Sequence, residues 1–309
     1  MSGRTFFAWL RRTIALLVMA GAIASPAPAA EELPGNGSQE AKLNIQMIKT
    51  GLFLISGGGA NSLLRLSANG EILVDGKRVQ NYAALKSQVR TISRITDMPV
   101  RAVILTNHHA DRSGTNAKYL EAGAQIIAQE NAARSLATYH ASGEKIALPT
   151  ITYANDYLLQ LGGVEVQLKH FGNAHTDGDT VVYFPNLKVV AVGDLFSPDT
   201  PNPDFTAGGS LVDWGPVLAQ ILKLDFDVAV PSKGPTITRD DFVAFKTKIE
   251  ILVSRARVLV SKRVPKDQLL SQLDPEDFGW QFKFSPDDLD RFYAELSSNK
   301  MVSEHAASK

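Results

Sequence analysis

The sequence predicts an α/β (α+β) protein that forms a four-layer αββα sandwich, with two mixed β-sheets face to face and helices on both outer faces. Three observations predict this class. Runs typical of strands and runs typical of helices alternate in two successive halves of similar build. Polar residues directly follow several apolar, strand-like runs, as they do where buried strands end in loops. The sequence also has no tandem repeat short enough to indicate a solenoid.

Residues 1–29 have the pattern of a bacterial signal peptide. Three arginines (Arg4, Arg11 and Arg12) precede an apolar run from Thr13 to Ala24, and Ala27-Pro28-Ala29 offers small residues for cleavage. The alternative is an uncleaved anchor, but the run is shorter than the ~20 apolar residues that a membrane span needs. We therefore expect cleavage, a periplasmic or secreted protein, and no stable membrane insertion afterwards.

The composition excludes some classes of binding partner and some kinds of chemistry. Residues 30–42 are predicted to form a flexible leader, because they are rich in glycine, proline, serine and charge. The chain has no cysteine, which excludes disulfides, thiolate nucleophiles and cysteine-ligated metals. Removal of residues 1–29 takes away three arginines and no acidic residue, so the remaining net charge is slightly negative. That balance indicates no nucleic-acid partner, and we expect a small-molecule one.

A domain is predicted from residue 43 to residue 264, and its first half is rich in strands. Asn69-Gly70 is a strong hairpin signal, and apolar residues at helical spacing predict a helix from Tyr82 to Ile95. A helix, a strand and a second helix are expected between residues 113 and 139. The other strands predicted in this half are Leu43 to Ile48, Leu52 to Ser56, Ser62 to Leu66, Glu71 to Val74 and Val100 to Leu105.

The second half repeats this build. Gly162-Gly163 is predicted to turn a hairpin, and the later helices are expected from Leu211 to Leu224 and from Arg239 onward. Residues 265–309 are predicted to be a C-terminal helical extension, with a helix from Pro286 and a frayed tail. The strands predicted in this half are Tyr157 to Leu161, Val164 to Phe171, Thr180 to Phe184, Val189 to Val192 and Val228 to Val230.

Polar clusters follow four of the predicted strands. They are the segments 107–112 and 172–179, Asp194 after Gly193, and the segment 231–235. Apolar strands need no such clusters in order to fold. Ligands gathered on loops at the ends of buried strands are how rigid scaffolds hold metal ions, so the clusters predict a metal site.

The order, local sequence and spacing of these clusters resemble the metallo-β-lactamase superfamily from about Leu43 to about Phe242. That family binds two zinc ions through an H-x-H-x-D-H motif and later single His, Asp and His residues. By position, the resemblance implies that the ligand places fall on Asn107, His109, Asp111, Arg112, His175, Asp194 and Lys233, with Asp75 as a supporting aspartate. The fold it implies is the αββα sandwich of this family.

Three of the seven ligand places are altered, namely Asn107, Arg112 and Lys233. Two cations beside Asp111 and Asp194 neutralise these carboxylates and repel a divalent ion, so we expect salt bridges in place of the second metal. For Asp111 and Asp194, ion pairing and metal ligation both stay open. The first site keeps His109, His175 and Asp194, with Asn107 able to add an amide oxygen, and we expect it to hold one zinc ion.

A mono-zinc branch of the family has the same N-x-H-x-D-R pattern as residues 107–112. That branch also uses a cysteine ligand, which this chain lacks.

The resemblance implies a hydrolase that activates water for cleavage of a lactam, ester, lactone or thioester bond. In this interpretation Asp111 orients the water or passes its proton on, and Arg112 and Lys233 supply positive charge for an anionic small-molecule substrate. The alternative is a non-catalytic periplasmic binding protein whose site is salt-bridged and metal-free. The sequence alone does not choose between the two.

Overall fold

The computed structural model describes residues 42–94, 98–138 and 146–298. The predicted signal peptide, the leader up to residue 41 and the tail after residue 298 lie outside the described residues. Within those three ranges, no helix combines the length and apolar character that crossing a bilayer requires.

The first sheet has seven strands, which lie side by side in chain order. They are β1 (Asn44–Lys49), β2 (Leu52–Ser56), β3 (Ser62–Ser67), β4 (Gly70–Val74), β5 (Val100–Ile104), β6 (Gln125–Gln129) and β7 (Ile151–Tyr153). The first four pair antiparallel, and β4 to β7 pair parallel. Parallel neighbours need helical crossovers, here α1 (Tyr82–Ser93), α2 (Ala110–Ser113), α3 (Asn116–Glu121) and α4 (Glu130–Thr138).

The second sheet has six strands in the order β13-β12-β11-β10-β9-β8. They are β8 (Asp156–Leu161), β9 (Val164–Lys169), β10 (Val181–Phe184), β11 (Val189–Gly193), β12 (Val228–Pro231) and β13 (Ile237–Thr238). Only the β11 and β12 pair is parallel, and α5 (Leu211–Ile221) makes its crossover. The helices α6 (Arg239–Ser261), α7 (Leu269–Leu273) and α8 (Pro286–Ser297) follow.

Successive side chains along each strand point to opposite faces of the sheet, and this alternation produces the four layers. Leu63 and Ile72 belong to the apolar cluster between the two sheets, whereas their neighbours Leu64 and Leu73 belong to the cluster under the helices of the first half. A third cluster joins the second sheet to α5, α6, α7 and α8. The predicted fold class is therefore confirmed.

Two strands were not predicted. Both β7 and β13 are too short, at three and two residues, to show an alternating pattern. They pair at the outer positions of their sheets because neighbouring strands there offer unpaired backbone groups.

The C-terminal extension packs on the same core as α5 and α6. Leu269, Trp280 and Phe292 are buried in that cluster. From α8, Arg291 Nη1 donates to the Phe205 carbonyl oxygen at 2.8 Å, and Glu295 accepts from a backbone N–H at the start of α5. The extension thus holds the loop before α5.

Glu295 is expected to make stability depend on pH. Burial raises the pKa of Glu295 to about 7 from an ordinary 4.5. A carboxyl with a raised folded pKa contributes stability below about pH 4.5, and this is lost as the pH rises through 7. The Glu295→Gln variant cannot ionise at this position. The difference between its melting temperature and that of the parent should therefore increase by about 2–4 °C from pH 5 to pH 8. Thermal melting checks this, with exposed Glu121→Gln as the control; a difference that stays constant with pH would contradict it.

Candidate metal centre

The polar clusters meet at one edge because the strands that precede them end there. β4 ends before Asp75 and β5 before Thr106, while β11 leads into Asp194 in the other sheet. The ends of β5 and β11 approach closely: a Cβ on Gly193, whose φ is 53°, would lie 2.7 Å from Thr106 Oγ1. Glycine at this position therefore allows Asp194 to lie beside the segment 107–112.

Asp75 supports this edge of the sheet through hydrogen bonds with Thr106. Its carboxylate accepts the Thr106 N–H at 2.7 Å and the Thr106 hydroxyl at 2.6 Å. Burial raises the pKa of Asp75 to about 6, and the nearby Arg112 charge and the Thr106 hydrogen bonds limit the rise. Asp75 has the left-handed φ of 55°, which is uncommon for a residue other than glycine.

His109, His175 and Asp194 form a group with the dimensions of a zinc site. His109 Nδ1 lies 3.4 Å from His175 Nε2, and Asp194 Oδ2 lies 3.3 Å from His175 Nε2 and 4.0 Å from His109 Nδ1. Bonds of about 2.0–2.1 Å in a tetrahedral site place neighbouring ligand atoms roughly 3.3 Å apart. The three side chains are 12–22% exposed, so a bound ion could also reach water. These residues fit a divalent ion.

The guanidinium of Arg112 lies among three carboxylates of the site. Arg112 is 2% exposed, and its two terminal nitrogens pair with Asp111 and Asp194, while Nε lies 4.0 Å from Asp75 Oδ2. Burial would lower the pKa of Arg112, but the three carboxylates raise it above its ordinary value. The predicted salt bridges of Arg112 are therefore confirmed.

Asp194 is held by neutral donors as well. Ser232 Oγ donates to Oδ1, and Asn107 Nδ2 donates to Oδ2 at 2.8 Å. Burial would raise the pKa of Asp194, but Arg112, His175 and these two donors hold it well below the usual range of an aspartate. These contacts favour the ionised form of Asp194, whose Oδ2 is shared by Arg112 and Asn107 and also faces His175.

Asn107 has a different role from the predicted one. Its amide oxygen accepts the His109 N–H at 3.1 Å, and its amide nitrogen faces Asp194. The oxygen is thus committed to the backbone and is not offered to the group of ligands. Asn107 shapes the loop and supports Asp194.

The prediction that Lys233 takes part in these salt bridges is wrong. Lys233 is exposed and, within the described ranges, forms no ion pair. Asn61 Nδ2 donates to the carbonyls of Pro231 and Gly234 at 2.9 Å each, and this fixes the turn so that Ser232 reaches the carboxylate. Lys233 instead borders a shallow groove together with the glycines after β2.

The sequence interpretation missed Asp204. Its Oδ2 lies 3.0 Å from His109 Nε2. Burial would raise the pKa of Asp204, but hydrogen bonds from His109, Thr206 and Ala207 hold it well below the usual range. Asp204 follows a segment with three prolines and no strand or helix pattern, so its only sequence signal was its position ten residues after Asp194.

His108 also lies near this aspartate. It is buried, and its ring centroid lies 4.5 Å from that of His109. Burial lowers the pKa of His108 to about 4. Together with His109 and Asp204 it forms a second group of potential ligand atoms within 4.8 Å of one another.

Comparison with known proteins agrees with this geometry. A profile of the metallo-β-lactamase superfamily matches residues 56–233, which is more than half of the chain. The protein therefore belongs to the metallo-β-lactamase superfamily. Two solved structures share the fold: a metallo-β-lactamase from Pontibacter korlensis (TM-score 0.59, 20% identity, 68% of this chain and 99% of that one) and the DIM-1 metallo-β-lactamase (TM-score 0.58, 18% identity, the same coverage).

Two characterised relatives are similar in sequence. The 2,4-dinitroanisole O-demethylase subunit alpha of Nocardioides sp. (strain JS1661) is 29% identical over 231 residues, which cover 72% of this chain. The metallo-β-lactamase IND-1 of Chryseobacterium indologenes is 28% identical over 159 residues, which cover 50% of this chain. The matched parts span 65% and 62% of these relatives' own lengths.

Proposed function

We propose that the protein is a hydrolase that uses one zinc ion, held by His109, His175 and Asp194. The observation that carries the proposal is the pairing of Arg112 with Asp111 and Asp194, because a buried cation there excludes a second ion. The near-tetrahedral spacing of the three ligand atoms supports the first site. When bound, zinc supplies a water of near-neutral pKa and a Lewis acid for a substrate oxygen.

The surrounding side chains have defined parts in this proposal. Asp111 pairs with Arg112 through Oδ1, while its Oδ2 has no hydrogen bond within the described residues and can accept a proton and deliver it to the leaving group. Arg112 is a fixed cation that requires no reorganisation during the reaction. Lys233, exposed at the groove, would attract an anionic substituent of the substrate.

The substrate class stays broad. Lactams, esters, lactones and thioesters are the candidates, and the O-demethylase relative adds aryl methyl ethers to the panel. Purified protein should be assayed on a chromogenic β-lactam, p-nitrophenyl acetate, a lactone, a thioester and 2,4-dinitroanisole, before and after chelator treatment. Chelator-sensitive turnover of any of these supports the hydrolase.

A non-catalytic, metal-free binding protein is the second candidate. The observation in its favour is that Arg112 already balances two carboxylates without any ion. Protein purified without chelator that contains no metal and turns over none of the panel would support this candidate over the hydrolase.

Export is a separate proposal, supported by the pattern of residues 1–29. We propose that this segment is cleaved and that the mature protein is periplasmic or secreted. The N-terminal sequence of protein recovered from a bacterial periplasm should begin close to residue 30; a mature chain that keeps Met1 would contradict cleavage.

We expect one zinc ion per chain. Elemental analysis should give a stoichiometry close to one, and His175→Ala should lower both zinc retention and hydrolysis by more than about 100-fold, because a ligand is lost. His170→Gln is the control: His170 belongs to neither group of potential ligands among the described residues, and its Nδ1 contacts the Asp179 carbonyl oxygen at 2.9 Å, so this variant should retain one zinc. Two zinc ions per parent chain would rule out the proposed role of Arg112.

A further inference from the structure

One loop contacts both histidines of the proposed site. The carbonyl oxygen of Asn202 lies 2.7 Å from His175 Nδ1, and Asp204 Oδ2 lies 3.0 Å from His109 Nε2. The Asp204 N–H also donates to the His175 carbonyl at 2.7 Å. The residues of this loop therefore contact the ring nitrogens on the far side of each imidazole.

Each of these contacts selects a tautomer. A carbonyl oxygen only accepts hydrogen bonds, so the tautomer of neutral His175 that satisfies Asn202 has its proton on Nδ1 and offers the Nε2 lone pair to an ion. A carboxylate likewise only accepts, so the tautomer of neutral His109 that satisfies Asp204 has its proton on Nε2 and offers the Nδ1 lone pair. These two lone-pair nitrogens are the atoms that face each other at 3.4 Å, beside Asp194 Oδ2.

We propose that Asp204 is a positioning residue that selects the Nε2–H tautomer of His109, so that Nδ1 is ready for a divalent ion. The Asn202 carbonyl does the same for His175. A carboxylate on the distal nitrogen of a ligating histidine fixes the ring and raises its basicity. This inference rests on the proposed metal site.

The two oxygens of Asp204 are not interchangeable. Oδ1 accepts the N–H groups of Thr206 and Ala207 at 3.1 Å each and the Thr206 hydroxyl at 2.5 Å. Arg291 of α8 holds the same turn through the Phe205 carbonyl. Three donors thus require an oxygen at the Oδ1 place, and only Oδ2 is left for His109.

This asymmetry makes Asp204→Asn a sharp test. The amide oxygen must stay with the three donors, so the NH₂ group turns toward His109 and can only donate. His109 then has to protonate Nδ1, the atom that should bind the ion. If Asp204 were only a cap for the turn, asparagine would replace it well. If Asp204 selects the tautomer, the asparagine variant should bind the ion more weakly than the alanine variant, because alanine places no N–H donor beside His109.

The experiment compares the parent with Asp204→Asn, Asp204→Ala and the exposed control Asp199→Asn from the same loop. Imidazole ¹⁵N–¹H correlation spectra of metal-free protein report the tautomer of His109, and chelator competition reports zinc affinity. We expect Nε2–H in the parent, Nδ1–H in Asp204→Asn and a mixture in Asp204→Ala. Zinc affinity should fall by about 10–100-fold in the asparagine variant, less in the alanine variant and under about 2-fold in the control.

The outcomes separate the two proposals. Nε2–H in Asp204→Asn, or zinc binding by this variant that is tighter than by Asp204→Ala, overturns the role of Asp204. If the asparagine variant is too unstable for spectra, Nδ1–H in the parent overturns it equally. If the parent shows Nε2–H and Asp204→Asn shows Nδ1–H but no variant binds zinc, the tautomer inference stands and the proposed function fails.

Discussion

Replacement of Arg112 by methionine is expected to lower the free energy of unfolding by about 3–5 kcal/mol. The side chain is 2% exposed and lies between Asp111 and Asp194, with Asp75 4.0 Å away. Methionine fills much of the volume but leaves carboxylates without their counter-ion in a partly buried place. Urea denaturation in the presence of a chelator measures the loss.

Arg255→Met is the matched control for this prediction. Arg255 also pairs with an aspartate, Asp277 at 2.9 Å, but the two side chains are 41% and 53% exposed. Screening by water limits such a pair to about 1 kcal/mol or less. Equal losses for the two variants would show that Arg112 is not a buried counter-ion. Added zinc should stabilise Arg112→Met more than the parent, because freed carboxylates attract the ion.

The double variant Arg112→His and Lys233→His is expected to raise zinc content from one ion to two. Histidine at position 112 removes the buried cation and offers a neutral nitrogen beside Asp111 and Asp194. Because Lys233 is exposed and Ser232, not Lys233, reaches Asp194, the gain is expected to come from position 112. Elemental analysis of protein loaded with zinc and then desalted gives the stoichiometry.

Lys233→His alone separates the contributions of the two positions. Because Lys233 is exposed and Arg112 stays in place, this single variant should still bind one ion. A folded double variant that binds no more zinc than the parent would mean that Arg112 does not occupy the second metal position.

Strong local patterns made most of the fold predictable. Strands β1 to β4 lie within one residue of their predicted bounds, because apolar runs separated by glycine-rich turns leave few alternatives. The helix predicted from Leu211 to Leu224 ends earlier, at Ile221. The pairing of β7 and β13 depends on neighbouring strands and has no signal in their own residues.

In the candidate site, too, some features could be predicted from the sequence and others could not. The polar clusters after the strands predicted a metal site, and the resemblance to the family assigned its ligands to His109, His175 and Asp194; the charge of Arg112 predicted its salt bridges. Neither the residue type nor the position of Asn107 predicts the orientation of its amide group. That orientation depends on Asp194, which lies 87 residues away along the chain.

The sequence determined the layered fold and the absence of cysteine ligands, and its resemblance to the family pointed to the three residues that can hold an ion. Only the tertiary structure decided that Ser232 and not Lys233 reaches Asp194, and that Asp204 contacts Nε2 of His109. The physical reason is that the direction of a polar side chain on a loop is set by the partners that satisfy it. Here those partners lie far along the chain, as Asn61 does from Pro231 across 170 residues and Asp204 from His109 across 95.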